Sequence, residues 1–304
     1  YEIAERRVGA EMCRRDMYAT DYSADLDAVI SRDDVDGFLV CAENSRHLRL
    51  LKAAIPKKTP IFCEKPFMTS VSEALEATGL IREHGTIVHM GYFQPFTAGM
   101  QGALAHIGSG SLGNLTHARY RNAHHAAYGR WVDSEDLKWC ADPELAGVGA
   151  FMDMGTHAVH LMRTLLGPVR EVLATISNVS SIYPEVDDNG VALFQFENGV
   201  VATVEGSWVQ TGGPRSLEVV GSEGTLFDTP GRGFVTQQPR EDPVDIPEGT
   251  ERPTRVDRLV AAISGDLSKE ELDNDLACAG DAVAIMEACY TSNESRQWEP
   301  VAKV

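Results

Sequence analysis

A glutamate–lysine pair followed at once by proline, Glu64-Lys65-Pro66, closes the apolar run Ile61-Phe62-Cys63. Pro66 has no N–H and restricts the residue before it, so no sheet or helix interior runs on through it. The pair therefore stands at a strand end, where open α/β sheets place their ligands. A lysine held there and partly desolvated acts as an electrophile or proton donor towards an oxygen. A solvated ion pair worth almost nothing is the competing reading. The apolar run before Glu64 and the fixed turn after Lys65 argue for the first.

Farther along, Asp153, Gly155, His157 and His160 fall within one stretch. Residues four apart on a helix share a face, so Asp153 and His157 are neighbours and His160 follows on the same side. A carboxylate so placed orients an imidazole and raises its basicity. Gly155 costs helix stability, which implies that something large approaches the backbone there. An ordinary buried histidine satisfied by its neighbouring carboxylate fits the same spacing. Asp153, His157 and His160 have metal-ligand spacing too, but no further ligand accompanies them and no metal is expected.

Two more places carry suitable residue types. Cys41-Ala42-Glu43-Asn44 ends an earlier apolar run and occupies the equivalent strand end. Asn44 suits the cap of the following helix, and His47 a surface position on it. A later loop is polar and studded with His124, His125, Tyr128, Trp131 and Trp139, and the first four form an aromatic, hydrogen-bonding cluster suited to a polyol or sugar. An interface uses the same residue types.

The elements that position these residues are legible from periodicity. Residues 37–42, 60–63 and 86–92 are short apolar runs, the pattern of parallel strands covered on both faces. Helices fit residues 1–15 and 25–30, then a stretch carrying Leu48, Leu51, Ala54 and Ile55. Ser70 with Glu73 makes a capping box for a helix to about residue 84, and a helix over 96–107 leads out. After Gly113 the pattern changes: a strand over 115–121, the aromatic loop, and a helix over 151–166. Strands follow over 169–178, 190–197, 200–208, 215–220, 225–228 and 233–237, with Asn198-Gly199 as a hairpin turn. Helices over 254–264 and 273–291 close the chain.

The result is α/β, a parallel layer followed by a mostly antiparallel one. Val191, Leu193, Val200, Ala202 and Val204 alternate with Ala192, Phe194, Val201 and Thr203, so the second sheet reads as apolar on both faces. A second copy of the sheet would cover the outer face, giving a homodimer or homotetramer.

With 304 residues, 43% apolar and 24% charged, the chain builds two ordinary domains with real cores. A formal charge of -18 works against nucleic acid and anionic membranes as partners. No run is long enough to span a bilayer, and no signal peptide opens the sequence. Six scattered cysteines without a CxxC pair suit reduced core positions in a cytoplasmic protein.

In type, order and separation these motifs resemble the Gfo/Idh/MocA family, the glucose–fructose oxidoreductase and myo-inositol dehydrogenase group. Glu64-Lys65-Pro66, with Glu73 behind it, matches the EKP signature, and Asp153-x-Gly155-x-His157 matches DxGxH. Residues 41–47 resemble the T-P-N-x-x-H loop, with Glu43 where proline is common. The hairpin ending in Trp208 and the run at 221–225 agree, so the likeness covers essentially the whole chain.

The resemblance implies an NAD(P)-dependent oxidoreductase. Residues 1–96 would form an N-terminally truncated Rossmann-like domain, and 97–304 an α+β domain for substrate and oligomerisation. NAD or NADP would meet Ala42, Glu43, Asn44, His47, Glu64, Lys65 and Gln94. The substrate, a ring hydroxyl of an inositol, sugar or sugar derivative, would meet His124, Tyr128, Trp131, Asp153 and His157. Lys65 would contact the reacting hydroxyl, and His157 would take its proton as hydride leaves the same carbon. Asp153 would bind substrate and tune Lys65 or His157. A cis Lys65–Pro66 peptide is implied as well. His160 stands where many relatives carry an aspartate, a departure that touches substrate contacts.

The larger departure is at the front. The family begins with a strand, a GxGxxG turn, a helix and a second strand, and this chain opens in what should be the helix after them. Roughly thirty to forty residues are short, including the turn that grips the pyrophosphate. A start assigned too far downstream is expected, because Lys65, Asp153 and His157 survive. A catalytically silent scaffold that has shed its cofactor is the alternative.

Overall fold

The computed structural model describes residues 2–3, 23–213 and 217–304. Its first layer is a four-stranded parallel sheet in chain order, β1 Glu2–Ile3, β2 Phe38–Val40, β3 Ile61–Cys63 and β4 Val88–Met90. Phe38 pairs with Ile61 and Val40 with Cys63 across β2 and β3. All four are fully buried. Strands covered on both faces lose their polar alternation, which is why apolar runs alone located them.

Around this sheet lie α1 Leu26–Ile30, α2 His47–Ala54 and α3 Val71–His84. Asp25 caps α1 by accepting the Ala28 N–H at 3.0 Å. Apart from Glu2–Ile3, the helix expected over residues 1–15 lies outside the described residues. Glu2 and Ile3 themselves form a strand paired with Leu39 and Val40.

Two expected caps are built differently. Asn44 does not cap α2; it sits in a 3₁₀ turn, and its amide donates to the Ala146 carbonyl at 2.9 Å. Ser70 accepts the Glu73 N–H at 3.3 Å, but the Glu73 carboxylate turns to the Thr69 N–H and hydroxyl instead of Ser70. A nearer pair of donors outcompetes the second half of the box.

The second layer begins with α4 Ala98–Gly108, β5 Leu115–Ala123 and α5 Ala150–Leu166. The strands β6 Val169–Ser177, β7 Asn189–Phe196, β8 Val201–Ser207, β9 Leu217–Gly221, β10 Thr225–Thr229, β11 Gly233–Gln237 and β12 Val244–Asp245 follow. Helices α6 Arg255–Ile263 and α7 Lys269–Ser295 and the short β13 Glu299–Pro300 complete it. Nine strands form one sheet in the order β12-β11-β10-β9-β5-β8-β7-β6-β13. Only β5 and β8 run parallel; the other pairs are antiparallel.

Register sorts this sheet's faces. Ala192 pairs with Val204 and Phe194 with Ala202, and all four are buried beneath α5 and α7. Leu193 and Val201 point outward, 37% and 40% exposed. The outer face is not the continuous apolar surface expected. Arg121–Glu205 and Arg119–Glu218 ion pairs cross it beside those side chains. Val191 and Leu193 belong with Val201 and Thr203 rather than with Ala202 and Val204, because cross-strand pairing decides which residues share a face.

α5 carries the second motif and lies very close to the large sheet. A Cβ on Gly206 would stand 2.8 Å from the Gly155 nitrogen. The large object approaching Gly155 is thus β8 itself. The other end of the contact is the ring of Phe151, fully buried against Gly190.

Candidate active site

Strand β3 ends at Cys63, and the next two residues turn Glu64 and Lys65 towards α5. The Lys65–Pro66 peptide is cis. The Lys65 ammonium donates to Asp153 Oδ1 at 2.6 Å and to the Asp153 carbonyl at 3.3 Å. Trp208, just past β8, donates its indole N–H to Asp153 Oδ2 at 2.9 Å. Both carboxylate oxygens are taken, one by each layer of the molecule.

The loops around this junction are tied down from a distance. Glu64 Oε2 accepts the Lys65 N–H at 3.1 Å, and a Cβ on Gly91 would meet that oxygen at 2.7 Å. At the start of α5, Asp187 accepts the Gly149 and Phe151 N–H groups at 3.0 and 2.7 Å, and the Tyr290 hydroxyl at 2.9 Å. That carboxylate supplies the N-terminal cap that no neighbouring residue provides.

Beside Lys65 and Asp153 is a cavity of about 230 Å³. Ala42, Asn44 and Glu64 line it from the parallel sheet, and Trp139, Cys140, Met152 and Trp208 from the other layer. Cys41 also lines it and is exposed, correcting its expected core position; Cys63, Cys278 and Cys289 are buried.

The structure distributes the other candidates. Glu43 pairs with Arg46 at 3.3 Å outside the cavity wall. His47 is fully buried, with Nδ1 2.9 Å from the Pro66 carbonyl and Nε2 3.1 Å from the Ala42 carbonyl. It therefore ties the two strand ends together, a correction to its surface reading. Gln94 stands beyond β4 with its side-chain oxygen buried and unpartnered.

His157 is one turn past Asp153, as the spacing requires. It forms no hydrogen bond to Asp153, whose oxygens Lys65 and Trp208 already hold. Its ring lies edge-on to Tyr92 and Phe93, with centroids 6.0 and 5.8 Å away, and Nδ1 is unpartnered. His160 stacks on Tyr92 at 4.0 Å and lines a second cavity, of about 110 Å³, with Arg258 and Asp275.

The aromatic loop is set apart from the first cavity. Trp131 packs against His124 and His125 at 4.9 and 4.8 Å, and Tyr128 and Trp131 are largely exposed. Trp139, Cys140 and Leu137, later in the same segment, stand on the wall instead. Periodicity gave no reason to prefer Trp139 and Cys140 over the other residues of this loop, because residues 138–141 form a 3₁₀ turn without a regular face.

Electrostatics follow from these contacts. Burial opposes the charge on Lys65, but Asp153 outweighs it and holds the ammonium above its ordinary range. Burial likewise works against Asp153 ionising, and Lys65 with the Trp208 N–H overcomes it, keeping the carboxyl below its usual range. For His157, burial and then the Lys65 charge push the imidazole down, so it is neutral near pH 7. The arrangement presents an ammonium, a fixed carboxylate and a neutral imidazole one turn away. Among the described residues no three His, Cys, Asp or Glu side chains are grouped to hold a metal, and no helix is long and apolar enough to cross a membrane.

Comparison with known proteins agrees with this architecture. Residues 3–92 match the family described as "Oxidoreductase family, NAD-binding Rossmann fold", and residues 100–227 match the "GFO/IDH/MocA C-terminal domain". The chain is 26% identical to 1,5-anhydro-D-fructose reductase of Ensifer adhaerens over 70% of its length and 62% of that protein. With inositol 2-dehydrogenase of Acidothermus cellulolyticus it shares 28% identity over 66% of its length and 56% of that protein. It thus spans less than two thirds of the length of these curated relatives. A levoglucosan dehydrogenase solved with NADH and levoglucosan superposes with a TM-score of 0.80 at 20% identity, over 99% of this chain and 89% of that one. At that identity the likeness establishes the fold.

Proposed function

The chain belongs to the Gfo/Idh/MocA family of oxidoreductases, and from that membership we propose that it transfers hydride between a ring hydroxyl of a sugar, inositol or sugar derivative and NAD or NADP. The observation that carries the reading is the Lys65–Asp153 contact of 2.6 Å. It joins the end of a parallel strand to the second layer beside a cavity, where α/β sheets take their ligands.

The residues present fit a dinucleotide's nicotinamide end. Ala42, Asn44, Glu64 and Lys65 line one cavity at adjacent strand ends, and the buried Gln94 oxygen lacks a donor. When bound there, the nicotinamide supplies the hydride acceptor. In this reading residues 1–96 belong to the cofactor's domain and 97–304 to the substrate's.

Lys65 donates a proton-bearing, positively charged contact to the substrate oxygen. Asp153 fixes that ammonium and keeps it charged. His157, neutral by burial, takes the hydroxyl proton. Trp208 holds Asp153 in place. Assembly through the large sheet into a dimer or tetramer is part of the same proposal; its mixed outer face, with Leu193 and Val201 between ion pairs, suits a partner's sheet.

The test is a titration with NADH and NADPH followed by energy transfer from protein to nicotinamide, then initial rates over a polyol and sugar panel. Micromolar binding and substrate-dependent reduction of NAD+ or NADP+ are expected. His157→Asn is expected to lower turnover by ~10²–10⁴-fold while dinucleotide binding is retained. Turnover unchanged in that variant would remove His157 from the mechanism.

A further inference from the structure

Three arginines stand at intervals of three residues where the chain enters α6: Arg252, Arg255 and Arg258. Each of the outer two has a carboxylate partner. Arg252 pairs with Glu271. Arg258 is 1% exposed, pairs with Asp275 at 2.6 Å and covers the Phe96 ring at 4.1 Å. The middle one has no carboxylate partner among the described residues. Its guanidinium lies over the Phe93 ring at 4.4 Å, and that ring stands edge-on to His157 at 5.8 Å.

Arg255 is held in that position. The Arg252 N–H donates to the Phe96 carbonyl at 2.9 Å, and the Gly249 N–H to the Ala98 carbonyl at 2.9 Å, pinning the segment onto the turn that carries Phe93. The backbone at Arg255 has φ +53°, a left-handed conformation unusual for a residue with a Cβ. Strain of this kind persists where surrounding structure imposes it, and it gathers at ligand-binding positions. In a chain with a net charge of -18, a cation held without a carboxylate one aromatic ring away from His157 has an unused specificity.

We propose that Arg255 binds a carboxylate on the substrate, so that the site takes sugar acids in preference to neutral sugars. The proposal rests on the oxidoreductase reading above and narrows its substrate class. A planar guanidinium matches a carboxylate with two parallel hydrogen bonds. Lys65 is already engaged by Asp153, which leaves Arg255, among the described residues near His157, as a cation without a carboxylate partner. The carboxylate would then meet Arg255 beside the Phe93 ring, with the reacting hydroxyl on the side of the sugar away from the acid.

The experiment compares D-glucuronate and D-galacturonate with D-glucose and D-galactose. Calorimetric affinities are measured alongside initial rates with NAD+ and NADP+, for the wild type, Arg255→Asn and Arg255→Lys. Asparagine tolerates the left-handed backbone, and Arg255 is exposed, so folding is retained. At least one acid is expected to bind more tightly than its neutral partner. Arg255→Asn should weaken that binding roughly 10- to 100-fold, with the neutral sugars unaffected and Arg255→Lys restoring part of the loss. Equal affinity for acids and neutral sugars, or equal loss of both in Arg255→Asn, overturns the proposal. Arg255-dependent acid binding without any reduction of NAD+ or NADP+ upholds it and overturns the oxidoreductase reading instead.

Discussion

Two groups of polar side chains are withdrawn from water on either side of α5, and they are satisfied in opposite ways. Lys65, Asp153 and Trp208 complete one another's hydrogen bonds and open on the larger cavity. His89, His160, Arg258 and Asp275 are packed among aromatic rings. His89 Nδ1 lies 3.7 Å from Asp275, both His89 nitrogens lack a hydrogen bond, and so do His160 Nδ1 and Arg258 Nη1. The first group keeps its charges by pairing them. In the second, burial pushes His89 and His160 down to about 3, so both are neutral, and Arg258 is left to a single carboxylate. Charges kept beside an open cavity can act on a ligand; charges buried behind it set the stability of the junction between layers.

Substitutions should separate the two groups. Arg258→Ala leaves Asp275 buried without its partner and strips the cover from Phe96, so a loss of about 3–5 kcal/mol is expected in urea denaturation. A loss under about 1 kcal/mol would mean that Asp275 finds another partner or protonates at no cost. On the other side, Trp208→Phe removes the N–H to Asp153 Oδ2. Turnover should fall roughly tenfold, at a smaller stability cost than that of Arg258→Ala. If stability falls and turnover does not, Asp153 is held by Lys65 alone.

The smallest effect is in pH dependence. His160 is neutral in the fold down to about 3, whereas an unfolded histidine takes its proton near 6.5. Between those values the unfolded chain binds more protons, so stability falls as pH drops from 6.5, by about 1.4 kcal/mol per unit for each such histidine. His160→Gln should flatten the slope between pH 6 and 4.5 by about one proton. Identical slopes in thermal melts of the two proteins would place the proton uptake elsewhere.

Local pattern carried much of this architecture. The buried strands at Phe38, Ile61 and Val88, the hairpin turn at Asn198-Gly199, and the α5 spacing of Asp153 and His157 depend on neighbours in sequence and were legible there. Ser268-x-x-Glu271 is a further local signal: both halves of that capping box form, and α7 starts at Lys269 rather than at residue 273. Glu64-Lys65 at a strand end was equally readable, because an apolar run and a proline define it.

What touches those residues was not. Asp187 caps α5 from more than thirty residues downstream, and Trp208 reaches Asp153 from another strand. His47 ties together the Ala42 and Pro66 carbonyls. The motif alone suggests that Asp153 serves His157, yet Lys65 claims the carboxylate because the two layers meet there. The sequence by itself determined periodicity, strand ends and which side chains are able to do chemistry, since these follow from backbone geometry over a few residues. Tertiary structure alone decided the partner of each charge, because hydrogen bonds and desolvation depend on distances between segments that periodicity does not encode.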